Sequence, residues 1–514
     1  MLGLLTPWLK RLEQYPDAVA VEDPFESVSG AELLARAMGV ANALRTLPVR
    51  RGSNPVVVVK GTNTVQAIIS YLGILCSDQA FSFIQSDAPS AAFEAMIATL
   101  SPSSIIYTRE ARDVRGRRET DRLPPDLPVI VATQGIEDAT WNPGVIKELA
   151  IAYVLFSSGS TGIPKGVCVS SRASVHAVNS YIRDLAISAG DVIANTVSFS
   201  FDISIFDIFA SLWTGAKLVL PALPQQPSLQ EVADSAVESG ASVVFTVPSI
   251  GIRMLSHLGS VKPPRLRALA LTGERTTAKF MDEFQRFRPK GLTVWDLYGG
   301  TEMPYVLARK LDLDNPEEFS TFVWSERDVA LGIDGDFNVG PAYVGHRGEL
   351  CVRGVSVMSG YLRSPTDWPQ SVSPQASHAT GDVVEILRSD RITLIGRKDR
   401  QVRLFGYRIE LDVIDAWIER HPAVEAALSL LDETNKQIVS LVQGKDSELT
   451  LEDFYSHCRE GLMSYMTPSR IVNTMIPRTR TGKKDFRAGR EMIAAASQNH
   501  PVTRLNGPQG EADC

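Results

Sequence analysis

The stretch from residue 153 to residue 169 constrains the chain more than any other. It reads Tyr-Val-Leu-Phe-Ser-Ser-Gly-Ser-Thr-Gly-Ile-Pro-Lys-Gly-Val-Cys-Val. Its apolar ends, 153–156 and 167–169, suit buried strands, so 157–166 is expected to be an exposed loop between them. Such a loop suits phosphate oxygens. Gly159 and Gly162 let backbone amides approach closely, the hydroxyls of Ser157, Ser158, Ser160 and Thr161 donate, and Lys165 supplies charge. It is not a Walker A loop, because Pro164 stands where that motif needs the glycine before its lysine, and Gly166 where it needs Ser or Thr. Taken alone, a Gly/Ser/Thr-rich loop is also the composition of a plain turn or linker.

At 514 residues the chain exceeds the size at which one hydrophobic core stops growing, so two or more domains are expected. A hydrophobic fraction of 44% and a charged fraction of 22% describe a soluble globular protein. The net charge of -7 leaves no global basic field to neutralise phosphates and argues against nucleic acid as a main partner. Cys76, Cys168, Cys351, Cys458 and Cys514 form no CxxC pair, and the histidines form no metal-spaced cluster. That pattern favours a reducing, cytoplasmic setting and no structural zinc. At the N-terminus Lys10, Arg11 and Glu13 cut short the run of Leu2, Leu4, Leu5, Trp8 and Leu9. A signal peptide would carry its charge before the apolar core, so a small amphipathic helix is expected, and no apolar run reaches membrane-spanning length.

Residues 29–47 place Leu33, Leu34, Ala37, Val40 and Leu44 at helical spacing; 55–60 follow with a run of valines, and 64–76 with another apolar helix. Helix, strand, helix in this order predicts an α/β architecture with buried parallel strands. The mixed-charge run 109–121 reads as a solvated loop or helix face. Residues 383–387 and 392–395 read as two strands around the turn Ser389-Asp390. Asp412 is expected to cap a short helix carrying Val413, Ala416, Trp417 and Arg420, stopped by Pro422. Residues 497–514 have the composition of a disordered tail.

Further motifs follow the loop in order. Residues 198–212 read Ser-Phe-Ser-Phe-Asp-Ile-Ser-Ile-Phe-Asp-Ile-Phe-Ala-Ser-Leu, 295–304 read Trp-Asp-Leu-Tyr-Gly-Gly-Thr-Glu-Met-Pro, and 348–361 open Gly-Glu-Leu. Then come Ala-Thr-Gly-Asp at 379–382, Gly-Arg-Lys-Asp-Arg at 396–400 and Thr-Gly-Lys-Lys-Asp at 481–485. With 153–169 and a looser match at 72–89, this ordered set resembles the adenylate-forming enzymes. That superfamily comprises acyl-CoA synthetases, luciferases and nonribosomal-peptide adenylation domains. The match covers roughly residues 15–490, and Thr481 departs from the family's terminal Asn-Gly-Lys-x-Asp.

The resemblance implies an α/β fold in two parts: a large N-terminal domain of layered sheets and helices, 1–397, binding ATP and amino acid, and a small, mobile C-terminal α+β lid domain, 398–496. It also implies roles. Ser157, Ser158, Gly159, Ser160, Thr161, Gly162 and Lys165 would hold the β and γ phosphates of ATP, with Gly273 and the flat face of Tyr298 at the nucleotide. Thr301 would donate to phosphate and Glu302 bind the bridging Mg2+. Asp382 would accept the ribose hydroxyls, and Arg397 reach ribose or phosphate. Lys483 would bridge the substrate carboxylate and the α-phosphate, and Asp399 would be the hinge. Each has a plainer reading: a Gly-Asp turn for Asp382, a solvated basic face around Lys483, a charged turn at Asp399.

Asp202 resembles the aspartate of the Phe-Asp-x-Ser motif, which meets the α-ammonium of an amino-acid substrate; on the plainer reading it is a helix N-cap. By position the side-chain pocket would be Ile203, Phe206, Thr246, Ala270, Thr272, Leu297, Tyr305 and Val306. With no countercharge among them, a charged side chain would be stranded. The implied function is ligase activity in nonribosomal-peptide or antibiotic biosynthesis. A small neutral α-amino acid, alanine favoured, would be adenylated and passed to the phosphopantetheine thiol of an acyl carrier protein acting in trans. An acyl-CoA or aryl-acid ligase is the alternative, and a catalytically silent ATP- or acyl-binding regulator a third reading. Asp202 weighs against the second, because fatty and aryl acids bring no ammonium to pair with it.

Overall fold

The computed structural model describes residues 3–48, 50–108, 123–132, 151–157, 164–222, 227–258, 265–274, 276, 281, 284–286, 291–311, 321–323, 329–337, 343–371, 373, 375–388, 390–444, 450–478 and 484–499. They form two compact units; the larger takes most of the chain up to Asp399, and the smaller is mainly the chain from Arg400 onward. The fold is α/β, as expected.

Two of the larger unit's three sheets are built around parallel strands. The valines 56–59 are all fully buried, which an alternating amphipathic strand would not allow, so both faces of Asn54–Gly61 must be covered. It pairs in parallel with Ala80–Gln85 and Pro102–Tyr107. The same sheet ends in the hairpin Ile151–Ser157 and Lys165–Ser170, whose register sets Ser157 opposite Lys165 at the mouth of the Gly/Ser/Thr loop. The edge strand Gly360–Leu362 lies beside that hairpin.

In the eight-stranded sheet, Val192–Asn195, Val243–Thr246, Ala268–Leu271 and Thr293–Gly300 run parallel in the order given. Their carboxyl ends therefore share one edge. The third sheet is antiparallel, in the order Thr321–Val323, Arg391–Arg397, Ser377–Arg388, Arg347–Gly354 and Val329–Ile333. The strands on either side of residue 389 are those the sequence predicts.

Helix Thr6–Leu12 buries Trp8, the expected amphipathic start. Gly30–Thr46 opens on a capping box in which Ser29 and Glu32 exchange hydrogen bonds. It packs on Val65–Cys76, in which every residue but Gln66 is buried. No helix among the described residues is long and apolar enough to cross a membrane.

The smaller unit is α+β. The hairpin Gln401–Leu404 and Tyr407–Glu410 turns through Phe405 and Gly406, both at positive φ. Helix Leu411–Ile418 follows, then a sheet of Val424–Asp432, Gln437–Gly444 and Arg470–Asn473, with helices Leu451–Gly461 and Phe486–Asn499. Asp412 is not the cap expected of it. The N-cap is Glu410, with no side-chain cap bond, and Asp412 sits in the first turn paired with Arg400. The last helix reaches Asn499, taking in residues 497–499 of the expected tail. Residues 500–514, like 109–122, lie outside the described residues.

Gly73 marks the tightest crossing of the paired helices. A Cβ there would fall 2.5 Å from Val40 Cβ and 2.7 Å from the Ala37 carbonyl oxygen, a backbone atom with little room to move. Gly73→Ala should destabilise the larger unit by about 1–3 kcal/mol, read as a lowered midpoint in thermal or urea unfolding. An unchanged midpoint would show that the helices are free to separate.

Candidate active site

The site can be built from the hairpin that closes one side of the eight-stranded sheet. Gly300 pairs with Met303, leaving Thr301 and Glu302 as the two central residues of the turn. Glu302 is nearly fully buried, and its Oε1 accepts a 3.0 Å hydrogen bond from the Tyr361 hydroxyl. The Lys165 ammonium lies 5.6 Å from the centroid of the same Tyr361 ring. Lys165 and Glu302 are 137 residues apart (302 minus 165) and come from different sheets, yet both converge on Tyr361. Tyr361 closes the stretch that opens Gly-Glu-Leu, but sequence reasoning gives it no role.

A second cluster surrounds Asp382. The Tyr298 hydroxyl donates to its Oδ2 at 2.7 Å and Arg397 Nη1 to its Oδ1 at 2.7 Å. Arg397 also grips Asp399 through two bonds of 2.7 and 2.8 Å and donates to the Thr380 carbonyl. Burial pulls the guanidinium pKa down, but hydrogen bonding to Asp399 and the charges of Asp382 and Asp399 outweigh it and hold the pKa above its ordinary value. Gly381 and Asp382 lie inside strand Ser377–Arg388, not in the turn of the plainer reading; Gly381 has φ +76 and a Cβ there would lie 2.5 Å from Arg397 Nη2, so this irregular point of the strand favours glycine. Glu349 accepts from the Gly381 amide and from Lys398, fastening both ends of the cluster. Each carboxylate oxygen of Asp382 carries two lone pairs and keeps acceptor capacity beyond these bonds.

Asp202 is the first residue of helix Asp202–Thr214, not its N-cap. Phe201 holds the cap position without a side-chain bond, and the Asp202 carboxylate accepts from the Ile203 amide at 3.1 Å. An acid in the first turn is favoured there by the helix dipole. One turn further on, Phe206 stacks on Phe245 at 5.9 Å and meets the Tyr305 ring edge to face at 6.2 Å. Ile203, Ala270 and Leu297 belong to the same buried cluster as Phe206 and Tyr305.

Tyr305 sits in a strand with φ +58, a strained conformation for a residue with a side chain. It is held there at both ends: its hydroxyl donates to Asp184 at 2.8 Å, and its carbonyl accepts from Ser356 at 3.1 Å. The Thr272 hydroxyl donates to the Leu297 carbonyl, Gly273 follows at φ +82, and Thr246 is fully buried. Val306 is the exception, packing instead against the core of the antiparallel sheet.

Behind Phe206 lies Asp207, which sequence reasoning passed over. It is fully buried, accepting from the Tyr181 hydroxyl and from Asn195 Nδ2, each at 3.1 Å. Burial raises its pKa from the ordinary 3.8 to about 8, against the opposing pull of those two bonds. The available signal was an acid inside Ile-Phe-Asp-Ile-Phe, where an exposed role is impossible.

Ser158, Gly159, Ser160, Thr161, Gly162 and Lys483 lie outside the described residues. Lys484, next to Lys483, pairs with Glu419 at 2.8 Å, while Arg487 and Arg490 further on are exposed. Among the described residues no three His, Cys, Asp or Glu side chains gather as a metal cage.

The family model for AMP-binding enzymes matches residues 8–362, and the chain belongs to that family. It is 28% identical over 539 residues to the malpinin synthetase of Mortierella alpina, covering 98% of this chain but 7% of that protein. The chain thus spans only a small part of the length of such large synthetases. It is also 28% identical to the L-proline--[L-prolyl-carrier protein] ligase of Streptomyces coelicolor, covering 89% of this chain and 90% of that one. Among solved structures, the amide bond synthetase McbA of Marinactinospora thermotolerans superposes with a TM-score of 0.82 at 22% identity, covering 96% of this chain and all of that one. The Vibrio cholerae adenylation domain AlmE superposes at 0.78 and 18% identity, covering 96% of this chain and 98% of that one. At such identities the superpositions speak for the fold alone, a large N-terminal and a small C-terminal domain.

The buried proton on Asp207 makes stability depend on pH. Well below pH 4 the carboxyl is protonated in both folded and unfolded chains. Between about pH 4 and 8 the unfolded chain releases a proton that the folded one keeps, so stability falls as pH rises, by up to about 1.4 kcal/mol per unit. Asp207→Asn, which mimics the neutral acid, should abolish that slope. Melting temperatures measured from pH 5 to 9 should diverge in favour of the variant as pH rises; parallel curves would refute the assignment.

Proposed function

We propose that this adenylate-forming enzyme activates a small neutral α-amino acid, alanine favoured, as the aminoacyl-AMP and passes it to the phosphopantetheine thiol of a separate carrier protein. The observation that carries the reading is Asp202, a carboxylate at the head of a buried helix with Phe206 and Tyr305 one turn beyond. It offers a partner for an ammonium and two rings against which a short side chain can end. The relation to a carrier-protein ligase over nine-tenths of its length supports the same reading.

The chemistry asks for positive charge and positioning rather than a nucleophilic side chain. The substrate carboxylate oxygen bonds to the α-phosphorus of ATP as the bond to the β-phosphate oxygen breaks, and pyrophosphate leaves with that electron pair. Ser157, Lys165 and the loop between them are assigned to the β and γ phosphates, Thr301 to a phosphate oxygen, Tyr298 to adenine, and Asp382 with Arg397 to the ribose. Glu302 fits Mg2+ in the way that ion is usually held, by one carboxylate and the substrate's own phosphates. Bound there, the ion would neutralise phosphate charge. Lys483 is assigned to the carboxylate and α-phosphate. In the second step the carrier thiolate attacks the acyl carbon and AMP departs.

ATP–pyrophosphate exchange across the twenty amino acids and their deaminated counterparts tests the reading. Alanine should give the highest rate, with glycine, serine or 2-aminobutyrate weaker; preference for an acid without an amino group would move the function to an acyl- or aryl-acid ligase. Lys483→Ala should cost about 3–4 kcal/mol, a 100- to 1,000-fold loss of exchange, while thioester formation from supplied aminoacyl-AMP survives. Equal loss in both steps would refute its assignment to the first. Phe206→Ala should admit leucine or phenylalanine, whereas Asp202→Ala should lose all amino acids alike; the reverse pattern would refute the pocket.

A further inference from the structure

The segment that leads into Asp202 is fastened by a residue from the other parallel sheet. Asn63 follows strand Asn54–Gly61 in the seven-stranded sheet, whereas residues 196–201 leave Val192–Asn195 in the eight-stranded one. Asn63 Nδ2 donates to the Val197 carbonyl at 2.6 Å and to Asn195 Oδ1 at 2.9 Å, and its Oδ1 accepts from the Phe199 amide at 3.0 Å. Asn195 passes the chain on, donating to Asp207, which Tyr181 holds from the far side.

Asp202 is thus bracketed. Asn63 grips the backbone three and five residues before it, and the buried Asp207 carboxyl anchors its helix five residues after it. Phe199, whose amide is one of the gripped atoms, is fully buried with its ring against Tyr71 and Phe83, so the segment has little freedom left.

The geometry assigns Asn63, backed by Asn195 and Asp207, the part of a positioning residue that sets the Asp202 carboxylate for the substrate's α-ammonium. The side chain makes no contact with Asp202 itself; it works through the backbone that presents it. This rests on the amino-acid reading of Asp202 given above. Ion pairing to a fixed carboxylate is sensitive to displacements of under an ångström, so loosening the approach segment weakens capture of the ammonium and leaves the nucleotide groups alone.

The test is Asn63→Ala in ATP–pyrophosphate exchange with L-alanine, or with whichever amino acid the wild type prefers among the twenty. KM for the amino acid should rise about tenfold, the loss of one to two net hydrogen bonds, while KM for ATP stays within about twofold and kcat within about threefold. In an Asp202→Asn background, read at saturating ATP and high amino acid, the same change should add less than about twofold, because two residues acting on one contact are not additive. A general loosening of the fold would instead raise both KM values together and add its full effect in the Asp202→Asn background; either result overturns the assignment. Should the Ala variant fold poorly, Asn63→Asp, which keeps the acceptor for Phe199 and loses the donors, must still raise KM for the amino acid selectively. If the wild type prefers a deaminated acid, the amino-acid reading itself fails. If it uses amino acids and KM is unmoved in both variants, this inference fails alone.

Discussion

The parallel register of four strands is the constraint on which the site depends. Because Val192–Asn195, Val243–Thr246, Ala268–Leu271 and Thr293–Gly300 pair in parallel, each delivers its following loop to the same edge of the sheet. The approach to Asp202, Thr246, the Thr272-Gly273 turn and the Thr301-Glu302 turn are therefore neighbours by topology before any side chain is chosen. An antiparallel arrangement of the same segments would scatter them between two edges. The burial that parallel pairing demands is met on this sheet by helices such as Asp202–Thr214, in which residues 203–212 are all buried.

What varies across the candidate site is how tightly each side chain is held. Three positions rest on buried polar atoms with defined partners: Glu302 on Tyr361, Asp382 on Tyr298 and Arg397, Tyr305 on Asp184. An unpaired polar group in such surroundings costs roughly 1–3 kcal/mol, so these contacts hold the groups in place without covalent help. Tyr305 shows the same economy in reverse: a left-handed backbone in a strand persists because bonds at both ends of the residue over-determine it.

Much of this was legible in the chain. The four valines announce a strand buried on both faces by their unbroken run, and 64–76 a helix by its apolar spacing, while the ordered motifs bring Glu302, Asp382 and Asp202 into view. Other features leave no local mark. Tyr361 bonds Glu302, and Asn63 bonds a loop more than a hundred residues away; neither spacing nor composition records contacts between sheets. Asp412 and Asp202 were both offered as helix caps because an acid before an apolar run usually is one, but in each case the helix begins a residue or two earlier and the acid falls in its first turn. Val306 follows Tyr305 in the chain, yet it packs in a different core.

Attack of a substrate carboxylate on the α-phosphate of ATP underlies the proposed function. It can be tested by supplying alanine labelled with oxygen-18 in its carboxylate, together with ATP, Mg2+ and a phosphopantetheine-bearing carrier protein, and analysing the nucleotide products by mass spectrometry. The account predicts one labelled oxygen in AMP and none in pyrophosphate. Label in inorganic phosphate with formation of ADP, or AMP formed without label, would contradict it.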